Sequence, residues 1–392
     1  MSRAGFLWDS LSNNTGDQAV GLTLMRLARR AGMQGLEPVS IGESLAERYE
    51  LLVIGGGELL HPPGHPFYDL FRVPGEHVLN TVGTYGEVEA SYLSSYRLIT
   101  VRSAADRDNL RGLAREARVA PCLSVLFGEI AEDRPVMMGQ DPLLLHLHAG
   151  VFLPGTASAL VSLLRRLEPP VAMLPFTHHN CDGALQAVLA AAAGLPAPLE
   201  VAGPDQAFAA IRRARAVIVT SLHAAIFAYV AGVPFLAMPY SPKVRHFLAE
   251  RGLERRLLPD IQRLPEKLHL LTAGSVDWQS KLATDVAAAR ATATEILGLV
   301  EETLARPDGS RVGLVHWTEP THPEQAHAQA IGRHADYGRR MAQVASDELA
   351  GRHAWRRSIA SAARILARSF PAIRRLGWAR ALWRRWTGAY GI

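Results

Sequence analysis

Short runs of consecutive apolar residues recur along this chain, separated by longer stretches in which apolar positions return every three or four residues. The runs lie within Ala4–Trp8, Tyr49–Leu60, Val78–Thr84, Tyr96–Arg102, Asp141–Gly150, Val171–Phe176, Ala216–Thr220 and Val233–Met238. Continuous apolarity over so few residues reads as parallel strand covered on both faces, and the period of three to four reads as helix. Helical stretches follow most runs: from Thr15 or Asp17 as cap to Gly32, Ala157–Leu167, Asp182–Ala193 and Pro204–Arg215, with a charged amphipathic helix expected from Ser103 to about residue 117. Alternation of strand and helix in both halves predicts an α/β protein of two doubly wound, Rossmann-like domains facing a cleft.

Three prolines, Pro121, Pro135 and Pro142, with the charged AEDR between them, place the crossing between halves. The expected division is residues 1–135, then 136–305, whose last part is mostly helical and packs back across both domains. Residues 306–350 read as a linker or irregular segment and residues 351–392 as a basic amphipathic helical tail.

The longest uncharged run, Ala216 to Pro242, matches a membrane span in length, for which about 20 apolar residues suffice. Pro234, Pro239 and the mid-run His223 argue instead for a buried strand-helix-strand unit.

Charge changes the picture at one end. The whole chain nets +5, but its last 41 residues hold ten Arg and no acidic residue, so residues 1–351 net −5. Arg alternates with apolar residues there, and Trp355, Trp378, Trp383 and Trp386 stand beside arginines. That pattern fits a helix lying on an anionic membrane surface better than a nucleic-acid arm. Two cysteines far apart make neither a disulfide framework nor a cysteine zinc site. His316, His322, His327 and His334 lack the spacing of a helical ligand pair, so no metal is expected, and no cofactor either. The opening residues lack the apolar core of a signal peptide, which favours the cytoplasm, peripheral to the inner membrane face.

Candidate chemistry gathers where strands end. The loop Asn13-Asn14-Thr15-Gly16-Asp17 offers amides and a free helix terminus, or is simply a capping loop. Gly55-Gly56-Gly57 lets the backbone turn sharply or approach a ligand, but lacks the pattern of a nucleotide loop. His61 and His65, in the proline-rich stretch beyond, read as surface histidines. Arg102 ends a strand just before a helix, where it would hold either an anion or Asp106. His146 and His148 share one strand face by period two. Ser221-Leu222-His223 and Tyr240-Ser241-Pro242-Lys243 interrupt the apolar unit at its two strand ends.

In their order, Asn14-x-Gly16-Asp17, the three glycines, Val101-Arg102, Ser221-Leu222-His223 and Tyr240-x-x-Lys243 resemble the polysaccharide pyruvyl transferase family. The resemblance, over residues 4 to about 300, implies a fold similar to GT-B glycosyltransferases. It also implies transfer of a pyruvyl group from phosphoenolpyruvate to a sugar of a bacterial surface glycan, carried on a lipid or a nucleotide. It places Arg102, His223 and Lys243 at catalytic positions, with Ser221 and Tyr240 beside them on the donor. Asn14, Gly16, Asp17, Gly56 and Gly57 fall on the acceptor side. One departure stands out, Ser221 where many relatives have Arg. The residue types suit the chemistry: a small, highly charged donor needs fixed cations, and a group that exchanges protons near neutrality, here His223, is wanted at the enol carbon. Two other readings fit the sequence, a GT-B enzyme using a nucleotide sugar and a non-catalytic membrane scaffold of glycan assembly.

Overall fold

The computed structural model describes residues 3–10, 12–39, 49–65, 67–139, 141–168, 170–272, 278–306 and 323–351. In the first half, β1 (Ala4–Leu7) leads into α1 (Thr15–Arg30). Then follow β2 (Leu36–Val39), β3 (Leu51–Gly55), β4 (Val78–Val82), β5 (Leu98–Val101), α2 (Ala104–Asp108) and β6 (Arg118–Val119). These strands form one parallel sheet in the order β2-β1-β3-β4-β5-β6. The second half repeats the plan with β7 (Leu143–Leu145), α3 (Ala157–Leu164), β8 (Val171–Met173), α4 (Asp182–Ala193), α5 (Pro204–Arg212), β9 (Ala216–Val219), α6 (Leu222–Ala231), β10 (Phe235–Ala237) and α7 (Pro242–Ala249). Its parallel sheet runs β8-β7-β9-β10. Both sheets reverse their winding between first and third strands, and the crevice beyond the carboxyl ends at such a point is where open α/β sheets hold ligands.

The expected α/β architecture of two parallel sheets is therefore present, with one addition. The two halves share a continuous apolar core that takes in Trp8, Val20, Phe127, Phe208, Ile226 and Phe227. Phe127 stacks on Phe227 with ring centres 5.1 Å apart. At the rim Arg26 grips Asp205 with two bonds of 2.7 Å, the forked geometry that guanidinium and carboxylate favour. A long helix, α8 (Gln279–Leu304), then returns to the first half, where Arg97 Nη1 donates to Thr303 Oγ1 at 3.2 Å.

Several local expectations are corrected. The helix predicted from Ser103 stops at Asp108, and Leu110–Arg111 pairs with Val88–Glu89 instead. Leu110 and Leu113 are too few to give a longer helix a face to bury, and Gly112 turns the chain at φ +70°. Asn14, not Thr15 or Asp17, caps α1 by accepting from Gly16 N–H at 3.2 Å, which leaves the Asp17 side chain free to point inward. The segment expected to be irregular over 306–350 holds a helix, α9 (Pro323–Leu349). Met341, Val344 and Ala345, at helical spacing, are fully buried against the second half. The basic tail expected over 351–392, and the membrane contact assigned to it, lie outside the described residues apart from Gly351. No helix among the described residues is long and apolar enough to cross a membrane.

Candidate active site

Five strand ends deliver the polar groups to one place. Beyond β1 the first turn of α1 carries Asp17, beyond β3 the glycines carry Glu58, and Arg102 follows β5. From the second half, Ser221 caps α6 by accepting from Ala224 N–H at 3.4 Å and sets His223 in its first turn, while β10 hands over to Lys243 in the first turn of α7. The side chains meet across the shared core. His223 Nδ1 lies 3.8 Å from Asp17 Oδ1. Lys243 Nζ is 3.3 Å from one Glu58 oxygen, and Arg102 Nη2 is 3.6 Å from the other. Asn14 Nδ2 donates to Asp17 Oδ2 at 2.7 Å.

Three glycines make room for this. A Cβ on Gly16 would stand 2.0 Å from His223 Nδ1, one on Gly57 2.6 Å from Asp17 Oδ1, and one on Gly83 1.9 Å from Arg102 Nη2. Gly57 also sits at φ +87°, a conformation open to glycine at little cost. Any side chain at these positions would displace a functional group.

Burial sets the protonation states. Burial, reinforced by Asp9, raises the Asp17 carboxyl to about 7 although Lys243 and Arg102 pull it down. Burial also lowers His223, to about 3, and the two cations add to the effect. The imidazole is therefore neutral across the physiological range, and Asp17 is the group that exchanges protons near neutrality. Burial, the largest influence on Lys243, works against its charge, but Glu58, Tyr240 and Asp17 together more than offset it and the ammonium titrates above its ordinary value. Arg102 keeps its charge beside Asp106, whose Oδ2 lies 3.6 Å from Nε, so the ion pair foreseen as a surface contact is present and buried. Arg102 Nη2 is buried with no hydrogen-bond partner, a costly state for a guanidinium donor.

Beside the charges stands a wall of neutral rings. His61, expected on the surface, is buried and sandwiched between Tyr68 at 3.4 Å and Tyr85 at 4.8 Å, both nearly parallel to it. His148 stacks on Tyr240 at 4.0 Å and takes a hydrogen bond from Asn180 Nδ2 at 2.8 Å. His179 meets His334 of α9 edge to face at 5.6 Å. Burial, the first cause in each, holds His61, His65, His148 and His179 below the usual imidazole value, and lowers His334 to about 4. Among the described residues no group of three His, Cys, Asp or Glu is arranged to hold a metal.

Arg102, His223 and Lys243 thus converge from distant parts of the chain, and Asp17 lies beside them. Asn14, Gly16 and Gly57 position Asp17 and His223, and Gly56, at φ +88°, turns the backbone toward Glu58. Ser221 is occupied as a cap, and Tyr240 lies with Lys243 Nζ 5.2 Å from its ring centre. Sequence reasoning missed Glu58 and Cys122. The first follows the glycines directly and could have been found there. The second had no local signal, yet its Sγ is 3.7 Å from His223 Nε2.

A family model described as polysaccharide pyruvyl transferase matches residues 14–242, from the cap of α1 to the start of α7. No match was found among curated proteins. Among solved structures, the glycosyltransferase SnogD from Streptomyces nogalater is 14% identical, with 77% of this chain and 100% of that one covered and a TM-score of 0.42. MurG from Acinetobacter baumannii is 13% identical, with 77% and 100% covered and a TM-score of 0.38. The co-structure of S. aureus MnaA with UDP is 11% identical, with 78% and 99% covered and a TM-score of 0.43.

Proposed function

Since the chain belongs to the polysaccharide pyruvyl transferase family, an enzyme family, we propose that it moves the pyruvyl group of phosphoenolpyruvate onto two hydroxyls of a glycan precursor, forming a cyclic ketal. The observation that carries this reading is the convergence of Arg102 and Lys243 on one buried seam, with Arg102 Nη2 making no hydrogen bond. Glu58 now lies between the two cations, where a phosphate or carboxylate of the donor would compete with it.

The chemistry needs a proton at the methylene carbon, stabilisation of the cation that develops at the adjacent carbon, addition of two hydroxyls and departure of phosphate. Asp17, protonated up to about pH 7, supplies the proton. His223, neutral at rest, lies 3.8 Å away. Arg102 and Lys243 neutralise the leaving phosphate without a metal being needed. The stacked rings of His61, Tyr68, Tyr85, His148 and Tyr240 offer uncharged faces suited to a sugar ring.

The test is direct. Purified protein with phosphoenolpyruvate and a panel of lipid- and nucleotide-linked saccharides should release phosphate and yield a product heavier by one ketal-linked pyruvyl unit. Stabilisation by nucleotide diphosphates with no response to phosphoenolpyruvate would overturn the reading in favour of sugar transfer.

A further inference from the structure

Cys122 stands in the same buried cluster with no role in the mechanism above. It follows β6, and its Sγ faces His223 Nε2 at 3.7 Å while accepting from Ser124 Oγ at 3.1 Å. Together with Arg102 and Lys243 it lines a pocket that continues toward Phe247 and Arg251. Arg102 Nη2, buried on the wall of this pocket with no hydrogen bond and only a 3.6 Å ion pair to Glu58, is an independent sign that the pocket takes an anion. From Sγ through the imidazole to Asp17 the groups run thiol, histidine, carboxyl, the order in which an activated nucleophile is usually held.

We propose that Cys122 is a further catalytic residue, a nucleophile that captures the pyruvyl carbon of phosphoenolpyruvate as a covalent thioether while phosphate is exchanged for the acceptor hydroxyls. The proposal rests on phosphoenolpyruvate being the donor. In the first step Asp17 gives its proton to the methylene carbon, and the electron pair of the double bond forms that C–H bond. The thiol sulfur forms the new S–C bond, and the thiol proton passes to His223 Nε2. The imidazolium then lies beside the carboxylate that Asp17 has just become, so a ring that resists protonation at rest gains its counter-ion in the same event. In the second step the C–O bond to phosphate breaks with its electron pair, the first sugar hydroxyl adds, and its proton returns to Asp17. In the third step the S–C bond breaks toward sulfur, His223 reprotonates the thiolate, and the second hydroxyl closes the ketal, its proton leaving on phosphate. Every proton and electron pair is accounted for; burial holds the Cys122 thiol above its ordinary value, with Ser124 and Arg102 opposing it in part, so the proton leaves as the S–C bond forms and not before. Covalent capture splits one difficult exchange into easier ones and keeps the pyruvyl carbon in place between them.

The experiment is an acid quench of the full chain after mixing with phosphoenolpyruvate alone, followed by intact-mass and peptide mapping. The expected result is an increment of one phosphoenolpyruvate on the Cys122 peptide, absent from Cys122→Ser and Cys122→Ala. Both variants should keep the phosphoenolpyruvate-induced rise in melting temperature, while ketal formation falls by about 100-fold or more. Two variants guard against one that fails to fold, and melting curves report the fold of each. A wild-type chain that binds phosphoenolpyruvate and turns over yet carries no adduct, or Cys122→Ala turning over within about threefold of wild type, overturns the thiol's role alone. A wild-type chain that phosphoenolpyruvate neither stabilises nor drives to release phosphate refutes the transfer reading itself.

Discussion

Two groups of buried ionisable side chains face the same seam and resolve their burial in opposite ways. Arg102 and Lys243 keep their charges, each with a carboxylate of Glu58 or Asp106 within 4 Å. Around His61, His148, His179 and His334 the rings have each other and tyrosines as neighbours, and they shed their protons. Desolvation acts on both; only the presence of a counter-charge differs. One side of the seam is thus suited to an anion and the other to an uncharged, ring-shaped group. Asp17 belongs to neither set. It has cations nearby, but burial and Asp9 outweigh them, and it ends near neutrality.

The comparison can be broken most sharply on the charged side. Arg102→Ala should cut phosphoenolpyruvate-dependent turnover by about 100-fold and abolish the melting-temperature rise caused by phosphoenolpyruvate, since it removes a charge-assisted contact to the anion. Turnover within a few-fold of wild type would remove the anion role.

Asp17→Asn comes next and separates catalysis from stability. Wild-type turnover should fall as pH rises through about 7, where Asp17 loses its proton, and the variant should lose both the turnover and that limb of the profile. Stability moves the other way. The folded chain holds this proton up to about 7 and the unfolded chain releases it near 3.8, so ionisation destabilises the wild type progressively between those values. Denaturant midpoints should therefore show the variant gaining on wild type from pH 5 to pH 8.

Gly16→Ala tests whether the site is set by packing. Its Cβ would occupy the place of the His223 ring, and overpacking of this kind costs about 1–3 kcal/mol. A lowered melting temperature with weakened turnover is expected, and an unchanged protein would show that the ring has room to move.

The smallest effect belongs to the neutral wall. His334 takes its proton at about 4 in the folded chain and near 6.5 when unfolded, so its contribution is present above 6.5 and lost as pH falls toward 4. His334→Leu should reduce the acid-side slope of stability by about one proton while leaving pH 7 nearly unchanged. An unaltered slope would mean that this ring is charged in the fold and the contrast between the two sides is weaker than drawn.

What the sequence made legible follows from the range of each interaction. Strands such as Leu51–Gly55 and Ala216–Val219 could be read because burial on both faces leaves a local record of uninterrupted apolar residues. Arg102, His223 and Lys243 could be picked out because each interrupts or ends such a run. Cys122 owes its position to the meeting of segments more than a hundred residues apart, and no spacing records that. His61 was misread for the same reason: its loop is polar in sequence, but Tyr68 and Tyr85 fold over both faces of the ring. In α9 the buried positions lie among charged and polar neighbours that masked the helical period.

Gly338 of α9 lies so near the second half that a Cβ there would be 1.7 Å from the Asn180 carbonyl oxygen. Asn180 in turn holds His148, which stacks on Tyr240 beside Lys243. A helix beyond the family-matched residues 14–242 is thereby geared to Lys243. For anyone building chimaeras, the transplantable unit of the second half is consequently not the contiguous sheet and its helices. It has to carry residues 323–349 with it, and a graft cut after α8 would leave Asn180 and everything stacked behind it without a backstop.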